Sequence, residues 1–330
     1  MDYQPQPDRY TNGMIYRRCG NSGIQLPVIS LGFWHNFGHI DSYATQLEMV
    51  KYAFDHGICH FDLANNYGPP AGSAEANFGR MMKQCFAAHR DEMFITSKAG
   101  HDMWPGPYGG NSSRKNLMAS IDQNLQRMGL DYVDLFYSHR YDGVTPIDET
   151  MQALVDIVRQ GKALYIGLSK YPIDKLLYAL NYLHTAGVPC LAYQDRYNMF
   201  DRHVEEHHLQ LCASKGIGVV AFSPLAQGIL TGKYLHGIPD DSRAARPEGY
   251  LKTTDVTPEK IARVARLKTI ADQRGQTLSQ LALAWVLRQS EVSTVIVGAR
   301  NLDQLKDNLH ATTALSLTDT ETEIIEEILK

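Results

Sequence analysis

A chain of 330 residues, 44% hydrophobic and 21% charged, is long enough for one large globular domain or two ordinary ones. Its net charge of −4 excludes an overall basic field for nucleic acid, so a small anionic ligand would need a local cluster of Arg or Lys. No apolar run approaches the ~18 residues of a membrane span, and MDYQPQPDRY has no apolar core of a signal peptide, so neither is expected.

Five cysteines occur, an odd count with no C-x-x-C pair; Cys59 and Cys190 lie in apolar runs and read as reduced core residues. That favours a reducing compartment, and the cytoplasm is the expected location.

Residues 1–26 read as a polar tail and a β-hairpin, with a strand over 14–19, turn chemistry at Gly20-Asn21-Ser22-Gly23 and a return over 24–26. Eight short apolar runs follow, at 28–31, 58–63, 94–98, 132–138, 163–169, 191–194, 218–223 and 294–298. Helical patterns fall between them over 45–56, 112–128, 147–160, 173–185 and 203–215, each closed by a glycine just past its end. Residues 264–287 also carry apolar residues at helical spacing and read as core.

Most runs start ~30 to 40 residues apart, the size of one βα unit. Eight such units predict an α/β fold, a (β/α)8 TIM barrel with an N-terminal β-hairpin, in a single domain over 1–330. The open doubly wound sheet is the competitor, but the first βα turn (Leu31-Gly32-Phe33-Trp34-His35-Asn36-Phe37-Gly38) is too bulky for its glycine-rich loop. Residues 234–257, rich in Gly, Pro and Arg, read as a loop insertion or lid.

In such barrels chemistry sits at the C-terminal ends of the strands. The second barrel strand ends at Asp62 with Tyr67 in the following loop, the third ends at Lys98, and the fourth delivers His139 and Arg140. Adjacent strands run ~4.8 Å apart, so these groups can touch. Taken singly, Asp62 reads equally well as a helix cap, Lys98 as a solvated loop lysine and His139 as a core histidine. Lys98 is the hardest to dismiss: it follows Phe94-Ile95-Thr96-Ser97, and an ammonium half-buried there needs a carboxylate, for which Asp62 is the nearest candidate. An ammonium beside a phenol would lower the phenol's pKa from about 10 and suit Tyr67 to general acid work.

The segments FDLANNYG, TSKAG and YSHR, with AFSPLAQGILTGKY and VIVGARNLDQLKDN, resemble those of the aldo-keto reductase superfamily across nearly the whole chain. HFDLANNYGPPAGSAE, HDMWPGPYGG and FSPLAQGILTGKYLHGIP narrow the resemblance to its bacterial L-glyceraldehyde 3-phosphate reductases, relatives of the voltage-gated potassium channel β subunits. The resemblance implies hydride transfer from NADPH to the carbonyl carbon of a small aldehyde. Asp62, Tyr67, Lys98 and His139 would be the catalytic residues, Tyr67 the proton donor, and no metal would be used. L-glyceraldehyde 3-phosphate and methylglyoxal are the implied substrates, and a homo-oligomer (tetramer or octamer) the implied assembly. The alternative is an NADPH-binding redox-sensing regulatory subunit like the channel β subunits. His139 favours the enzyme, because those subunits tend to carry Asn there.

The resemblance also implies a cofactor site. Trp34 and Asp62 would lie near the nicotinamide, Ser169 and Gln194 on its carboxamide, and Phe222 on the ring, although a core aromatic explains Phe222 as well. Ser223, Leu225, Gln227, Gly228 and Lys233 would line the pyrophosphate, and Gly298, Arg300, Gln304, Asp307 and Asn308 the adenosine half. The stretch from Gly228 to Lys233 is one residue short of a P-loop and lacks a hydroxyl residue after the lysine, which excludes ATP. Arg300 stands where relatives commonly carry a small hydroxyl residue; with Arg243 as a second candidate, it could fork onto a 2′-phosphate, which favours NADPH over NADH.

Trp34, His35, Trp104, Tyr108 and Arg140, with Tyr141, are expected around the substrate. Arg140 could anchor a phosphate or equally form a surface ion pair. His203-Val204-Glu205-Glu206-His207 matches an inverted zinc-protease pattern, but it lies in a polar helix without a third ligand and reads as a solvated face.

Overall fold

The computed structural model describes residues 3–240, 242–245 and 250–330. Strands β1 (Tyr16–Arg18) and β2 (Gln25–Pro27) pair antiparallel as a separate hairpin. Eight parallel strands then close a barrel: β3 (Ile29–Gly32), β4 (His60–Asp62), β5 (Phe94–Ala99), β6 (Val133–Ser138), β7 (Ala163–Ser169), β8 (Cys190–Arg196), β9 (Gly218–Phe222) and β10 (Val292–Val297). β10 pairs with β3, so the ring has no free edge. The predicted TIM barrel and hairpin are the observed fold.

Strand residues alternate between two apolar clusters with the period of two that a pleat imposes. Phe136 of β6, Val219 and Ala221 of β9, and Val295 and Val297 of β10 join the large cluster with the helices. Leu135 and Tyr137, Val220, and Ile296 join the smaller one with Phe94, Leu191, Cys19 and Leu26. This smaller cluster fills the barrel, and the hairpin plugs its floor. A Cβ on Gly218 would meet the Cys19 sulfur at 2.4 Å, so only glycine lets the hairpin come this close.

The helices are α1 (Tyr43–Asp55), α2 (Ser73–Met81), α3 (Arg114–Met128), α4 (Ile147–Arg159), α5 (Ile173–Thr185), α6 (His203–Glu206), α7 (His208–Lys215), α8 (Pro258–Gln273), α9 (Leu278–Leu287), α10 (Leu302–His310) and α11 (Asp319–Leu329). Two expectations change. The helix expected over 203–215 breaks at His207, so the histidine spacing of the zinc-like pattern does not sit on one continuous helix. The apolar stretch over 264–287 is two helices: α8 ends near Gly275, and Thr277 and Gln280 start α9 with a capping box.

None of the described helices is long and apolar enough to cross a membrane.

Candidate active site

The inward face of β4 and β5 dictates the site. His60 and Asp62 on β4 alternate with Phe61, which joins the outer cluster, so both point into the barrel. Phe94, Thr96 and Lys98 on β5 do the same, and Asp62 pairs with Thr96 in register. Lys98 is fully buried as a result. Its Nζ donates to Asp62 Oδ2 at 2.6 Å and to the Leu63 carbonyl at 2.8 Å, and reaches the Tyr67 hydroxyl at 3.4 Å. Asp62 Oδ1 accepts from Thr96 Oγ1 at 2.8 Å and from Gln194 Nε2 at 3.0 Å. Both carboxylate oxygens are thus engaged, which holds the buried charge in one rotamer.

His139, at the end of β6, lies edge-on to the Tyr67 ring with centroids 5.8 Å apart. Its Nδ1 is buried without a partner among the described residues. Burial and the cations around it, Lys98 first, push the imidazole well below its usual pKa and keep it neutral. Burial and then the Asp62 charge push the Tyr67 phenol well above 10. This reverses the direction expected from the sequence: desolvation of the phenol outweighs the neighbouring ammonium. A phenol that stays protonated can still serve as the acid, because an alkoxide is more basic than a phenolate. Burial likewise lowers the Lys98 pKa, and Asp62 opposes the shift.

A groove of about 640 Å3 opens in front of this group, at the C-terminal ends of the strands. Of the residues named from the sequence, Trp34, His35, Asp62, Tyr67, His139, Ser169, Gln194 and Phe222 line it. So do Ser223, Leu225, Gln227, Gly228, Lys233, Arg243, Gly298, Arg300, Gln304, Asp307 and Asn308. Lys98 sits behind the wall, wholly buried. Trp104, Tyr108, Arg140 and Tyr141 are not among the lining residues. Tyr108 is mostly exposed beneath Lys115, and the Arg140 guanidinium donates to the Gly100 carbonyl at 3.0 Å.

The insertion after β9 returns to the groove through Tyr234, Arg243 and Tyr250, and Tyr250 packs on Trp34 at 5.1 Å between centroids. Sequence reasoning missed His101, Lys170, Arg196 and Asn66, which also line the groove. Each lies at a strand end or in the loop that follows, the same signal that singled out Lys98.

The walls fit an extended nicotinamide dinucleotide. The Ser169 hydroxyl, 1% exposed and without a partner among the described residues, fits a polar ligand group beside Gln194. Ser223, Ala226 and Gln227 take positive φ values that residues with side chains avoid, and Gly228 follows at +104°. Such strained turns collect where backbone must approach a ligand, here ahead of Lys233. Asn301 caps α10 by accepting from Gln304 N–H, which puts a helix N-terminus on the groove beside Arg300. Asp307 is held by Gln280 Nε2 at 2.7 Å and Thr277 Oγ1 at 3.1 Å.

His203 of the zinc-like pattern is tied instead to Asp201, 2.7 Å away, and Asp195, at 3.3 Å; these bonds raise its pKa to about 10. Among the described residues no three His, Cys, Asp or Glu side chains are grouped to hold a metal ion.

The model of the aldo/keto reductase family matches residues 28–330. The chain is 49% identical over 327 residues to an L-glyceraldehyde 3-phosphate reductase of Escherichia coli, covering 97% of this chain and 94% of that one. It is 36% identical over 311 residues to a probable voltage-gated potassium channel β subunit of Arabidopsis thaliana, covering 92% and 93%. A counterpart from rice is 34% identical over 313 residues, covering 92% and 93%.

Proposed function

This chain belongs to the aldo/keto reductase family and is an oxidoreductase, and from that premise we propose that it reduces small aldehydes, with NADPH as reductant and L-glyceraldehyde 3-phosphate and methylglyoxal as substrates. The observation that carries the reading is the buried ammonium of Lys98, held on Asp62 and within 3.4 Å of the Tyr67 hydroxyl at the wall of a dinucleotide-sized groove. Two of the ammonium's donors go to Asp62 and the Leu63 carbonyl, and the third is turned to a hydroxyl on a residue that lines the groove.

A reduced nicotinamide bound in the groove would supply the hydride for the new C–H bond at the aldehyde carbon. The chain does the rest. Tyr67 gives its hydroxyl proton to the carbonyl oxygen as the C=O π bond becomes a C–O–H single bond. Lys98 stabilises the phenolate left behind, which recovers a proton from solvent at the open groove. Neutral His139 orients the carbonyl or the Tyr67 hydroxyl without adding a competing acid. Ser169 and Gln194 would hold the carboxamide, Phe222 and Trp34 the ring, Ser223 to Lys233 the pyrophosphate, and Arg243 and Arg300 the 2′-phosphate.

Steady NADPH oxidation with methylglyoxal tests the proposal. Turnover in the enzymatic range, of order 1 s−1 or faster, with NADPH clearly preferred to NADH, is the expected outcome. Tight NADPH binding with only about one slow turnover would instead favour a redox sensor of the channel-subunit type, and equal use of both cofactors would remove the role given to the two arginines.

A further inference from the structure

Among the described residues, Lys170 is a groove cation with no carboxylate in contact. It follows the last residue of β7 and its side chain is half-buried. Among the described residues no carboxylate lies within ion-pair distance of its Nζ, which contacts only His101 Nε2, at 3.4 Å. An ammonium has no lone pair, so Nε2 accepts and His101 must be neutral with its proton on Nδ1. Asp195 is the acid nearest in effect, but its oxygens are engaged by the Tyr193 hydroxyl, the Arg196 amide and His203. The backbone is unusual too: Lys170 has φ +54°, a conformation a residue with a side chain adopts at a cost. Burial of an unpaired charge on a strained backbone, inside a ligand groove, points to an anion that arrives with the ligand.

The location says which part of the ligand. The His101 ring lies 4.5 Å from the His139 ring, which faces Tyr67, so His101 and His139 link Lys170 to the reacting end. Arg196, on the neighbouring strand β8, also lines the groove; among the described residues its only ion pair is a long one to Asp201, at 3.6 Å. The pyrophosphate stretch from Ser223 to Lys233 is a separate segment after β9. Building on the aldehyde-reductase reading above, we propose that Lys170, with Arg196 beside it and His101 orienting it, binds the phosphate of a short phosphorylated aldehyde whose carbonyl sits at Tyr67. Only two carbons and one oxygen separate aldehyde carbon from phosphorus in glyceraldehyde 3-phosphate, so an anchor for its phosphate must lie at the same end of the groove as Tyr67, where His101 and Lys170 stand. Arg140, whose guanidinium serves the Gly100 carbonyl, is a neighbouring charge and not the anchor.

The test uses the full chain with Lys170→Asn, because asparagine tolerates a left-handed backbone, and Lys170→Arg, which keeps the charge. The specificity ratio, kcat/KM for glyceraldehyde 3-phosphate over that for methylglyoxal, should fall roughly ten- to hundred-fold in the Asn variant, the scale of one charge-assisted bond. It should stay within a few-fold of wild type in the Arg variant. Glycerol 3-phosphate should compete with the aldehyde in wild type and lose affinity by a similar factor in Lys170→Asn, measured by calorimetry on the NADP-loaded protein.

An unchanged ratio and unchanged glycerol 3-phosphate affinity would overturn the proposal, as would a loss confined to NADPH affinity, which would place the cation on the cofactor. Should wild type reduce no aldehyde yet bind glycerol 3-phosphate through Lys170, the anion site stands and the reductase reading fails.

Discussion

At the residue scale, Lys170 titrates inside the working pH range and Tyr67 well above it, which separates binding from chemistry. The Tyr67 phenol is pushed well above 10, so the proton donor stays loaded throughout the working range. Turnover of methylglyoxal should therefore be flat from about pH 6 to 9. Burial lowers the Lys170 ammonium to about 8, helped by Lys98, Arg140 and Arg196 and opposed by Asp195. A phosphate monoester is mostly dianionic above about pH 6. As pH rises through about 8 the cation is lost while the ligand keeps its charge. KM for glyceraldehyde 3-phosphate should climb there while that for methylglyoxal does not. Parallel profiles for the two substrates would contradict the account.

Asp62, Lys98 and His139 are legible in the sequence because a charged or polar residue ending an apolar run in a barrel can point only to the rim or the interior, and Tyr67 because it lies in the short loop after Asp62. Lys170 carries the same signal one residue beyond Ser169, but nothing in the sequence shows that its neighbours leave it without a counterion. The pKa direction of Tyr67 is illegible for a related reason: proximity of Lys98 can be inferred from strand order, whereas the degree of desolvation depends on loops packing over it.

At the element scale, the back of β5 is held by a buried polar cluster. Glu75 on α2 is fully buried; it accepts from Ser97 Oγ at 2.6 Å and from Arg127 Nε of α3 at 2.7 Å. The Arg127 guanidinium also donates to Asn124 Oδ1, which sits beside Ser97 through its own amide. Removing the carboxylate leaves Arg127 and Ser97 short of partners. Glu75→Ala should cost about 3–5 kcal/mol in urea unfolding, with Glu75→Gln milder. A loss below about 1 kcal/mol would mean the cluster behaves as a surface pair.

The same cluster explains why α2 escapes the periodicity that reveals α3, α4 and α5. Its buried face carries Glu75 and Asn77 beside Ala74, Phe78 and Met81, so the pattern reads as polar. The break at His207 is hidden for the opposite reason, since α6 and α7 keep one helical pattern across it.

At the scale of the whole molecule, the barrel interior is partly polar and its histidines are neutral. His60 is fully buried; its Nδ1 meets Ser30 Oγ at 2.8 Å, and Ser30 meets Thr294 at 2.6 Å. Burial depresses its pKa to about 4, against 6.5 for an exposed imidazole. Between those values the unfolded chain binds a proton that the folded chain does not. Stability is therefore full above about 6.5, erodes as pH falls toward 4, and loses about 3 kcal/mol from this group. His139 shifts in the same direction and adds to the loss. Urea midpoints measured down the pH scale should fall in this window, and His60→Gln should flatten the curve; an unchanged slope in that variant would remove His60 from the account.

The barrel itself is legible because eight buried runs at a βα repeat leave few alternatives. The groove's occupant is read less directly, since turns such as Ser223 to Gly228 depend on backbone angles that composition does not announce.

The most direct measurement compares wild type with Tyr67→Phe for NADPH affinity and for methylglyoxal reduction in single-turnover reactions. The account predicts an NADPH dissociation constant within a few-fold of wild type and a reduction rate lower by roughly 10²- to 10⁴-fold. A variant that reduced the aldehyde at close to the wild-type rate would contradict it, because the phenol beside Lys98 would then not be the proton donor.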